Sequence, residues 1–316
     1  MRVSRLPWDL MVLLGLLIAG SLLASFFIPG FLDFRYLLDT STLHAEAGIL
    51  ALAMTFVIVS GHIDLSIASN MVLSAVFAGL MLKSGMNPPL VIGLTCVAST
   101  LLGTLNGVLV VLFRLPSFLV TLATLAIYRG TAQALLGPKS VAIPKEMVGL
   151  DQSLVAGIPW PTAIFVMLAI VSGLLLHRTV FGRWTFAVGT NEEAAVYAGL
   201  PVARIKIWVF ALAGLAAGIC ALLIDSRLGV ARHDLARGLE LDVITIAVVG
   251  GCAIRGGKGS IPGTVLAMLL VMLIRTAMGV ANVKAEYQLT AIGLLLVLAV
   301  GFGGLRGSPR ATKVNL

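Results

Sequence analysis

The glycine-rich segment from Gly250 to Gly263, GGCAIRGGKGSIPG, suggests phosphate chemistry by its composition. A phosphate-binding P-loop needs a glycine, four further residues, and then Gly-Lys followed by Ser or Thr, so that backbone N–H groups surround the phosphates. Cys252 and Gly259 occupy the first glycine and the Ser/Thr positions here, and no strand pattern precedes the segment. We therefore predict no nucleotide site. We interpret the segment as a tight cytoplasmic turn between two closely packed helices, with Arg255 and Lys258 as positively charged turn residues.

Patterns for metal binding and nucleophilic catalysis are also missing from the sequence. There is no HExxH, no CxxC and no GxSxG motif, and the histidines stand at no ligand spacing. The residues considered are His44, His62, His177 and His233, with Cys96, Cys220 and Cys252 in apolar segments. We predict no metal site, no disulfide, no bound cofactor and no catalytic residue, so the chain is not expected to be an enzyme.

The composition indicates a membrane protein. Of the 316 residues, 59% are hydrophobic and only 11% are charged, with a mean hydropathy of +1.05, whereas an ordinary soluble domain is about 25% charged. At about 20 residues per spanning helix, the chain accommodates about ten helices with short connections. The net charge is +8, but the Lys and Arg residues are scattered between apolar runs. This distribution favours cytoplasmic loops and lipid headgroups over nucleic acid.

We predict an all-α polytopic membrane protein, with residues 1–316 forming a single transmembrane domain. The predicted spans are about 8–28, 43–60, 66–82, 89–113, 117–136, 161–177, 206–224, 241–254, 261–280 and 288–304. An even number places both termini on one side. Lys and Arg are more frequent in the connections that an N-in, C-in arrangement assigns to the cytoplasm, so we predict that orientation.

Three details refine this arrangement. The uncharged run from Leu10 to Leu32 is longer than the roughly 7 to 15 residues of a signal-peptide core, so the first helix is expected to stay attached. The uncharged run 243–254 is too short to span and predicts a short or broken helix inside the protein. Arg129 and Arg275 fall within spans and must lie near a helix end or inside the bundle.

The segment SGHIDLSIAS, residues 60–69, joins two apolar runs and contains one acidic residue. A charged Asp at the bilayer centre costs roughly 2.5–3.5 kcal/mol on insertion scales, so Asp64 should lie at a helix end or in a polar interior. Ser60 and Asp64 are candidate N-caps for a helix that begins near Leu65. Two roles remain open for Asp64: a helix cap alone, or an additional part in gating together with Ser66.

Several amides and hydroxyls are candidates for a translocation pathway. Asn106 lies within a spanning run and needs either a partner on another helix or water in a pathway; both interpretations remain open. A transported solute needs hydrogen-bonding partners that release it again. Asn70, Asn106, Thr121 and Thr124 are such groups, and Thr121 and Thr124 share a helix face because they are three residues apart.

The longest predicted cytoplasmic segment, about 178–205, contains a short helix pattern. Thr190 and Glu193 have capping-box spacing, and the acidic Glu192 and Glu193 complement the dipole of the first turn. Gly199 suits the residue after the helix end. A helix of about two turns is not stable alone in water, so it must pack either on its own bundle or on a partner protein.

Taken together and in this order, four stretches resemble the membrane permease subunits of bacterial ABC importers for carbohydrates, the group that serves ribose, xylose, rhamnose, galactofuranose and autoinducer-2. The resemblance runs from about Leu43 to Val300. The stretches are SGHIDLSIAS, LNGVLVVLFRLPSFLVTLATLAIYRG, FGRWTFAVGTNEEAAVYAGLPVARIKI and GLELDVITIAVVGGCAIRGGKGSIPGTVLA. The family usually has glycine at the positions of His62 and Ala68, and this departure bears on local packing and on the substrate.

The resemblance implies a type II-like permease bundle in the bacterial cytoplasmic (inner) membrane. It implies a second permease subunit (identical or related), cytoplasmic ATPases that bind ATP and Mg²⁺, and a periplasmic sugar-binding protein. The 178–205 segment matches the cytoplasmic coupling loop that docks in a groove of the ATPase, and the small Ala194–Ala195 face is expected to approach that groove. The coupling residues implied are Thr190, Asn191, Glu192, Glu193, Ala194, Ala195 and Gly199.

The predicted outside segment 225–242 holds three arginines, Arg227, Arg232 and Arg237, against the positive-inside trend. One interpretation is contact with lipid headgroups or local ion pairs. The other follows from the resemblance, because binding proteins of this family often present acidic residues to such arginines.

Two alternatives to a sugar permease are weighed. A branched-chain amino-acid ABC permease would share the mechanism but not the substrate. A stand-alone secondary transporter or channel is less consistent with the capped cytoplasmic helix and with the scarcity of acids in the spans. The sequence does not identify the sugar.

Overall fold

The computed structural model describes residues 8–28, 31, 33–149, 154–155 and 157–307. Arg2, Arg5, Arg310 and Lys313, which contribute to the predicted orientation, lie outside these residues. The α-helices of the described part are α1 (Trp8–Phe27), α2 (Phe34–Val59), α3 (Ile67–Lys83), α4 (Pro88–Phe113), α5 (Ser117–Leu136), α6 (Trp160–Arg178), α7 (Val180–Thr190), α8 (Glu192–Tyr197), α9 (Val202–Leu228), α10 (Leu239–Val249), α11 (Ile261–Val280) and α12 (Ala285–Gly307). A 3-10 turn covers Lys145–Met147.

Ten of these helices coincide with the ten predicted spans, and α7 and α8 lie in the predicted segment 178–205. Seven of the helices described, α1, α2, α4, α5, α6, α9 and α11, are long and apolar enough to cross a membrane. The chain is therefore an all-α polytopic membrane protein. The short helix predicted inside the protein is α10, whose residues from Asp242 to Val248 are buried. The number of crossings and the orientation stay predictions.

Two helices are longer than the apolar runs that predicted them. α2 begins at Phe34 rather than near 43, because Asp33 accepts hydrogen bonds from the backbone N–H groups of Arg35 and Tyr36 at 2.8 and 3.0 Å. α9 covers Val202–Leu228 rather than about 206–224. Charged residues ended the predicted runs, but a helix can continue past a charge, and in α2 the Asp33 cap stabilises the added first turn.

The centre of the bundle is formed by α2, α3, α9 and α10, and the residues Ile49–Val59 of α2 are all buried. α4 packs against α9 through glycines: a Cβ on Gly103 or on Gly107 would lie 2.8 Å from the Cα of Gly214 or of Ile207. This is the small-residue packing that brings membrane helices close together. Apolar side chains on the outer faces of α1, α4 and α6 are exposed, as on a lipid-facing surface.

Short strands connect two loops at one end of the bundle. β1 (Val141–Ala142) pairs antiparallel with β4 (Val230–Ala231), with Val141 opposite Ala231. β2 (Leu154–Val155) and β3 (Ile158–Pro159) form a small hairpin. The β1–β4 ladder joins the segment after α5 to the segment after α9, so these two predicted outside segments lie on the same side.

The two arginines within spans both have hydrogen-bond or ion-pair partners. Arg129 donates hydrogen bonds to the carbonyl oxygens of Leu235 and Ala236 at 2.9 and 3.3 Å. Arg275 pairs with Asp242, with 2.5 Å between Nη2 and Oδ2. Arg275 therefore contacts another helix of the bundle, whereas the partners of Arg129 lie in the connection between β4 and α10.

Candidate functional site

The predicted short helix is α8, and its cap differs from the prediction. The N-cap is Asn191, whose Oδ1 accepts a hydrogen bond from the backbone N–H of Ala194 at 2.9 Å. Thr190 is the last residue of α7, and its hydroxyl donates to the Phe186 carbonyl at 2.8 Å. The predicted capping box of Thr190 and Glu193 is therefore wrong, because it places the N-cap one residue too early. The sequence did not reveal that α7 continues to Thr190, which leaves Asn191 as the extended residue between the two helices.

One face of α8 is fixed to its own bundle and the other is exposed. Ala195 is 4% exposed and packs with Val188, Val202 and Ile205. Ala194 is exposed, so the expected docking face formed by Ala194 and Ala195 together is wrong for Ala195. The exposed surface, called the coupling face below, consists of Glu193, Ala194, Val196 and Tyr197, of which Tyr197 is 91% exposed.

Two further features hold α8 in place. The Lys206 ammonium lies 2.6 Å from the Glu192 carboxylate, which links the start of α8 to α9. An exposed pair of this kind contributes about 0–1 kcal/mol, so it positions the helix more than it stabilises it. Gly199 has φ +76° directly after the helix end, as its predicted role requires.

The end of α7 touches two other connecting segments through glycines. A Cβ on Gly189 would lie 2.7 Å from the backbone nitrogen of Gly257, and a Cβ on Gly256 would lie 2.7 Å from the Cα of Gly61. The Gly257 N–H donates to the Val59 carbonyl at 2.9 Å. We call Gly61, Gly189, Gly256 and Gly257 the glycine junction. The sequence predicted the tight turn at 250–263 but not its contact with the coupling segment.

Asp64 lies in the segment between α2 and α3 and is 2% exposed. Its Oδ1 accepts hydrogen bonds from the backbone N–H and the hydroxyl of Ser66, at 2.9 and 2.7 Å. Burial raises the pKa of Asp64 to about 6, and the hydrogen bonds from Ser66 oppose this shift. Asp64 therefore caps the turn before α3, which begins at Ile67. Ser60 is not a cap of α3, because it ends α2 and donates to the Val57 carbonyl at 2.7 Å.

Asn106 connects this turn to α4 and α5. Its Nδ2 donates to the Ser66 hydroxyl at 2.7 Å, and its Oδ1 accepts from the Tyr128 hydroxyl at 3.4 Å. Asp64, Ser66, Asn106 and Tyr128 are called the polar cluster below. The sequence left open whether Asn106 is bonded by another helix or by water in a pathway. In the structure, the side chains of Ser66 and Tyr128 provide its hydrogen bonds.

The other pathway candidates are buried, and each donates a hydrogen bond to a backbone carbonyl. Asn70 donates to the Ser99 carbonyl at 3.0 Å, and Thr124 donates to the Val120 carbonyl at 3.2 Å. Thr121 donates to the Ile63 carbonyl at 3.2 Å and so touches the segment that holds Asp64. The structure thus places Thr121 next to the polar cluster, whereas Asn70 and Thr124 make separate contacts.

The three arginines of the 225–242 segment differ in their surroundings. The Arg227 guanidinium pairs with Glu46 at 3.0 Å and is turned into the bundle, so the expectation that it faces a docking partner is wrong. Arg232 forms a two-pronged pair with Asp234 at 2.6 and 2.9 Å on the surface, and its hydrogen bonds hold the pKa of that carboxyl below its ordinary value. Arg237 is exposed.

Comparison with known proteins identifies the class. The family described as "branched-chain amino acid transport system / permease component" matches residues 36–300, and the chain belongs to this family. It is a multi-pass permease of the bacterial inner membrane. No solved structure matched the chain.

Three relatives are similar over most of the chain. The ribose import permease protein RbsC of Bacillus subtilis is 33% identical over 282 residues, covering 88% of each chain. The autoinducer 2 import system permease protein LsrD of Klebsiella pneumoniae is 36% identical over 303 residues, covering 94% of this chain and 91% of the relative. LsrD of Escherichia coli K12 is 34% identical over 307 residues, covering 95% and 92%. All three relatives are import permease proteins.

Proposed function

We propose that this chain is the permease subunit of an ATP-driven importer for a sugar or a sugar-like solute. The similarity to ribose and autoinducer 2 import permeases, over 88% or more of the chain, carries the proposal. This similarity favours a sugar as the substrate. A branched-chain amino acid is supported only by the general description of the family.

The coupling face of α8 supports an ATPase as the partner on this side of the bundle. Ala195 anchors the helix, while Val196 and Tyr197 present 56% and 91% of their surface to a partner. The glycine junction gives a displacement of α7 and α8 a direct route to the segments 60–66 and 250–260, because backbone atoms in contact cannot move independently. In this proposal ATP and Mg²⁺ bind to the ATPase, and this chain binds no cofactor.

The opposite side supports docking of a periplasmic binding protein. The surface arginines Arg232 and Arg237 lie on a segment that the β1–β4 ladder fixes to the loop after α5. Such a fixed, positively charged surface suits acidic groups on a soluble partner. A second permease subunit, identical or related, completes the proposed assembly. The polar cluster, with Thr121 beside it and Asn70 and Thr124 nearby in α3 and α5, is proposed to serve the pathway or its gate.

A ligand screen of the binding protein encoded beside this chain tests the substrate. We expect thermal stabilisation of that protein by a pentose or another hydroxylated furanose, and none by leucine, isoleucine or valine. Uptake of the same ligand should then require this chain together with its ATPase. Stabilisation by branched-chain amino acids alone would contradict the proposal and favour the alternative substrate.

A further inference from the structure

A cavity of about 230 Å³ lies between α2, α9, α10 and α11. It lies toward the end of α9 that carries the β1–β4 ladder, away from α8. Its charged and polar lining comes from four helices and consists of His44, Glu46, Arg227, Asp242 and Arg275. Sequence reasoning missed this group, because its members are far apart in the chain and are brought together only by helix packing.

The four charged groups form two ion pairs across the cavity wall. Arg227 Nη2 lies 3.0 Å from Glu46 Oε1, and Arg275 Nη2 lies 2.5 Å from Asp242 Oδ2. Asp242 is 7% exposed. Its second oxygen, Oδ1, is buried and has no hydrogen-bond partner among the described residues. In the Asp242–Arg275 pair, one carboxylate oxygen of Asp242 is therefore available to accept a further hydrogen bond.

Charged groups inside a membrane bundle are expensive and mark pathways or binding sites. A buried ion pair also contributes little net stability, since removing both charges from water costs about as much as their attraction returns. Two such pairs around one cavity are thus not explained by stability. A surplus acceptor that is nine-tenths buried is costly when it stays unpaired, which points to a ligand that supplies the missing donor.

The lining also defines the chemistry of that ligand. Two arginines balance one glutamate and one aspartate, and with His44 counted as neutral the formal charge of the wall is zero, which favours a neutral solute. Guanidinium groups offer donors and carboxylates offer acceptors, which suits a compound whose hydroxyls both donate and accept hydrogen bonds. Apolar side chains such as Met268 and Val271 provide contacts for the C–H surface of that compound.

We propose that this cavity is a solute-binding subsite of the permease for a neutral, polyhydroxylated compound, in which Asp242 Oδ1 accepts a hydrogen bond from a solute hydroxyl. This inference rests on the proposed import of a sugar and adds a place within the chain where the sugar is held. It lies apart from the polar cluster around Asp64, which borders the coupling side.

The test uses complexes of this chain with its ATPase and binding protein in liposomes, with radiolabelled ribose as the probe. The double variant Asp242→Asn with Arg275→Gln removes both charges together and leaves no unpaired ion. Ala47→Leu fills the cavity, which Ala47 lines, without altering either ion pair. We expect the double variant to lower the rate of uptake at low ribose concentration by about tenfold, the effect of losing a charge-assisted hydrogen bond. Ala47→Leu should lower the same rate by excluding the solute from the cavity, and both variants should leave basal ATP hydrolysis and thermal stability unchanged.

Thr245→Val is the matched control, because Thr245 is a buried polar residue of α10, like Asp242, but does not line the cavity. It should keep wild-type uptake. The proposed subsite is overturned if both cavity variants take up ribose at the wild-type rate. It is also overturned if the control loses as much uptake as the cavity variants, or if the loss of uptake parallels a loss of thermal stability. If the wild-type complex imports neither ribose nor another monosaccharide, the proposed function fails instead.

Discussion

At the scale of single residues, the polar cluster illustrates how a membrane bundle accommodates an acid. Asp64 is buried, yet Ser66 supplies it with two hydrogen bonds and Asn106 supplies Ser66 with one. Each group in this series is the partner of the next. Removing the Ser66 hydroxyl therefore takes one of two donors from Asp64 and the acceptor from the Asn106 amide, which costs more than the loss of one neutral hydrogen bond.

We expect Ser66→Ala to destabilise the permease by about 1–3 kcal/mol, because it leaves Asp64 short of a donor and Asn106 short of an acceptor. Thermal unfolding in detergent measures this effect. Ser74→Ala is the control, since Ser74 is equally buried but makes one neutral bond of 3.2 Å to Asn70. Equal stability losses in the two variants would show that the polar cluster has no special weight.

The sequence predicted the long helices well, because uncharged runs of spanning length leave few alternatives. It missed α7, whose apolar residues are interrupted by Arg183 and Thr185, and it placed the α8 cap one residue early. The pairs Glu46–Arg227 and Asp242–Arg275 lie beyond any local pattern, since their members belong to different helices. The sequence identified Asp64 and Asn106 separately as polar residues that need partners. That Ser66 links them is visible only from the packing of α3 and α4.

At the scale of elements, α8 has separate anchoring and docking faces. Tyr197→Glu should leave the fold intact, because the side chain is 91% exposed, and weaken association with the ATPase by about tenfold. Copurification and ATP hydrolysis measure the effect. Tyr287→Glu changes an exposed tyrosine on α12 and is the control. Normal association of the Tyr197 variant would remove α8 from the proposed interface.

Ala195→Arg should act differently, because Ala195 packs against Val188, Val202 and Ile205. A long charged side chain there is expected to displace α8 and to lower thermal stability as well as ATPase association. Limited proteolysis of the 190–200 region distinguishes the two variants. An Ala195→Arg protein with wild-type protease resistance would contradict the packing described.

The glycine junction allows a third test at this scale. Gly189→Ala would place a Cβ against the Val59 carbonyl and 2.7 Å from the nitrogen of Gly257. We expect transport to fall at least fivefold while ATP hydrolysis persists, because the contact between α7 and the two neighbouring segments is forced open. Gly173→Ala on α6 is the matched control, since its Cβ would meet an ordinary contact of 3.8 Å. Equal transport by both variants would exclude the junction from coupling.

At the scale of the whole molecule, the two ends of the bundle differ in how they meet soluble partners. One end presents a short helix, and the other presents charged segments held by the β1–β4 ladder. Surface charges at such a site act mainly on the rate of association and on its salt dependence. The ion pair of Arg232 with Asp234 is exposed and remains able to exchange partners.

Arg232→Glu should therefore slow capture of the loaded binding protein, most strongly at low salt, and leave basal ATP hydrolysis intact. Association with immobilised complex at two salt concentrations measures it. Lys284→Glu makes the same charge change on the exposed connection between α11 and α12 and serves as the control. A low-salt association rate equal to wild type would assign Arg232 to its local pair alone.

The helix α9 has a mechanical consequence that follows from its length and its supports. It runs unbroken for 27 residues, about 40 Å, from the anchor of α8 to the β1–β4 ladder. Near its middle, Gly214 and Gly218 press against α4 at close range. We predict that α9 moves as a rigid rod about this contact, as a lever moves about a central fulcrum with two nearly equal arms. A push on α8 in one direction would then swing the ladder the opposite way through a comparable distance, so that one end of the bundle narrows as the other widens.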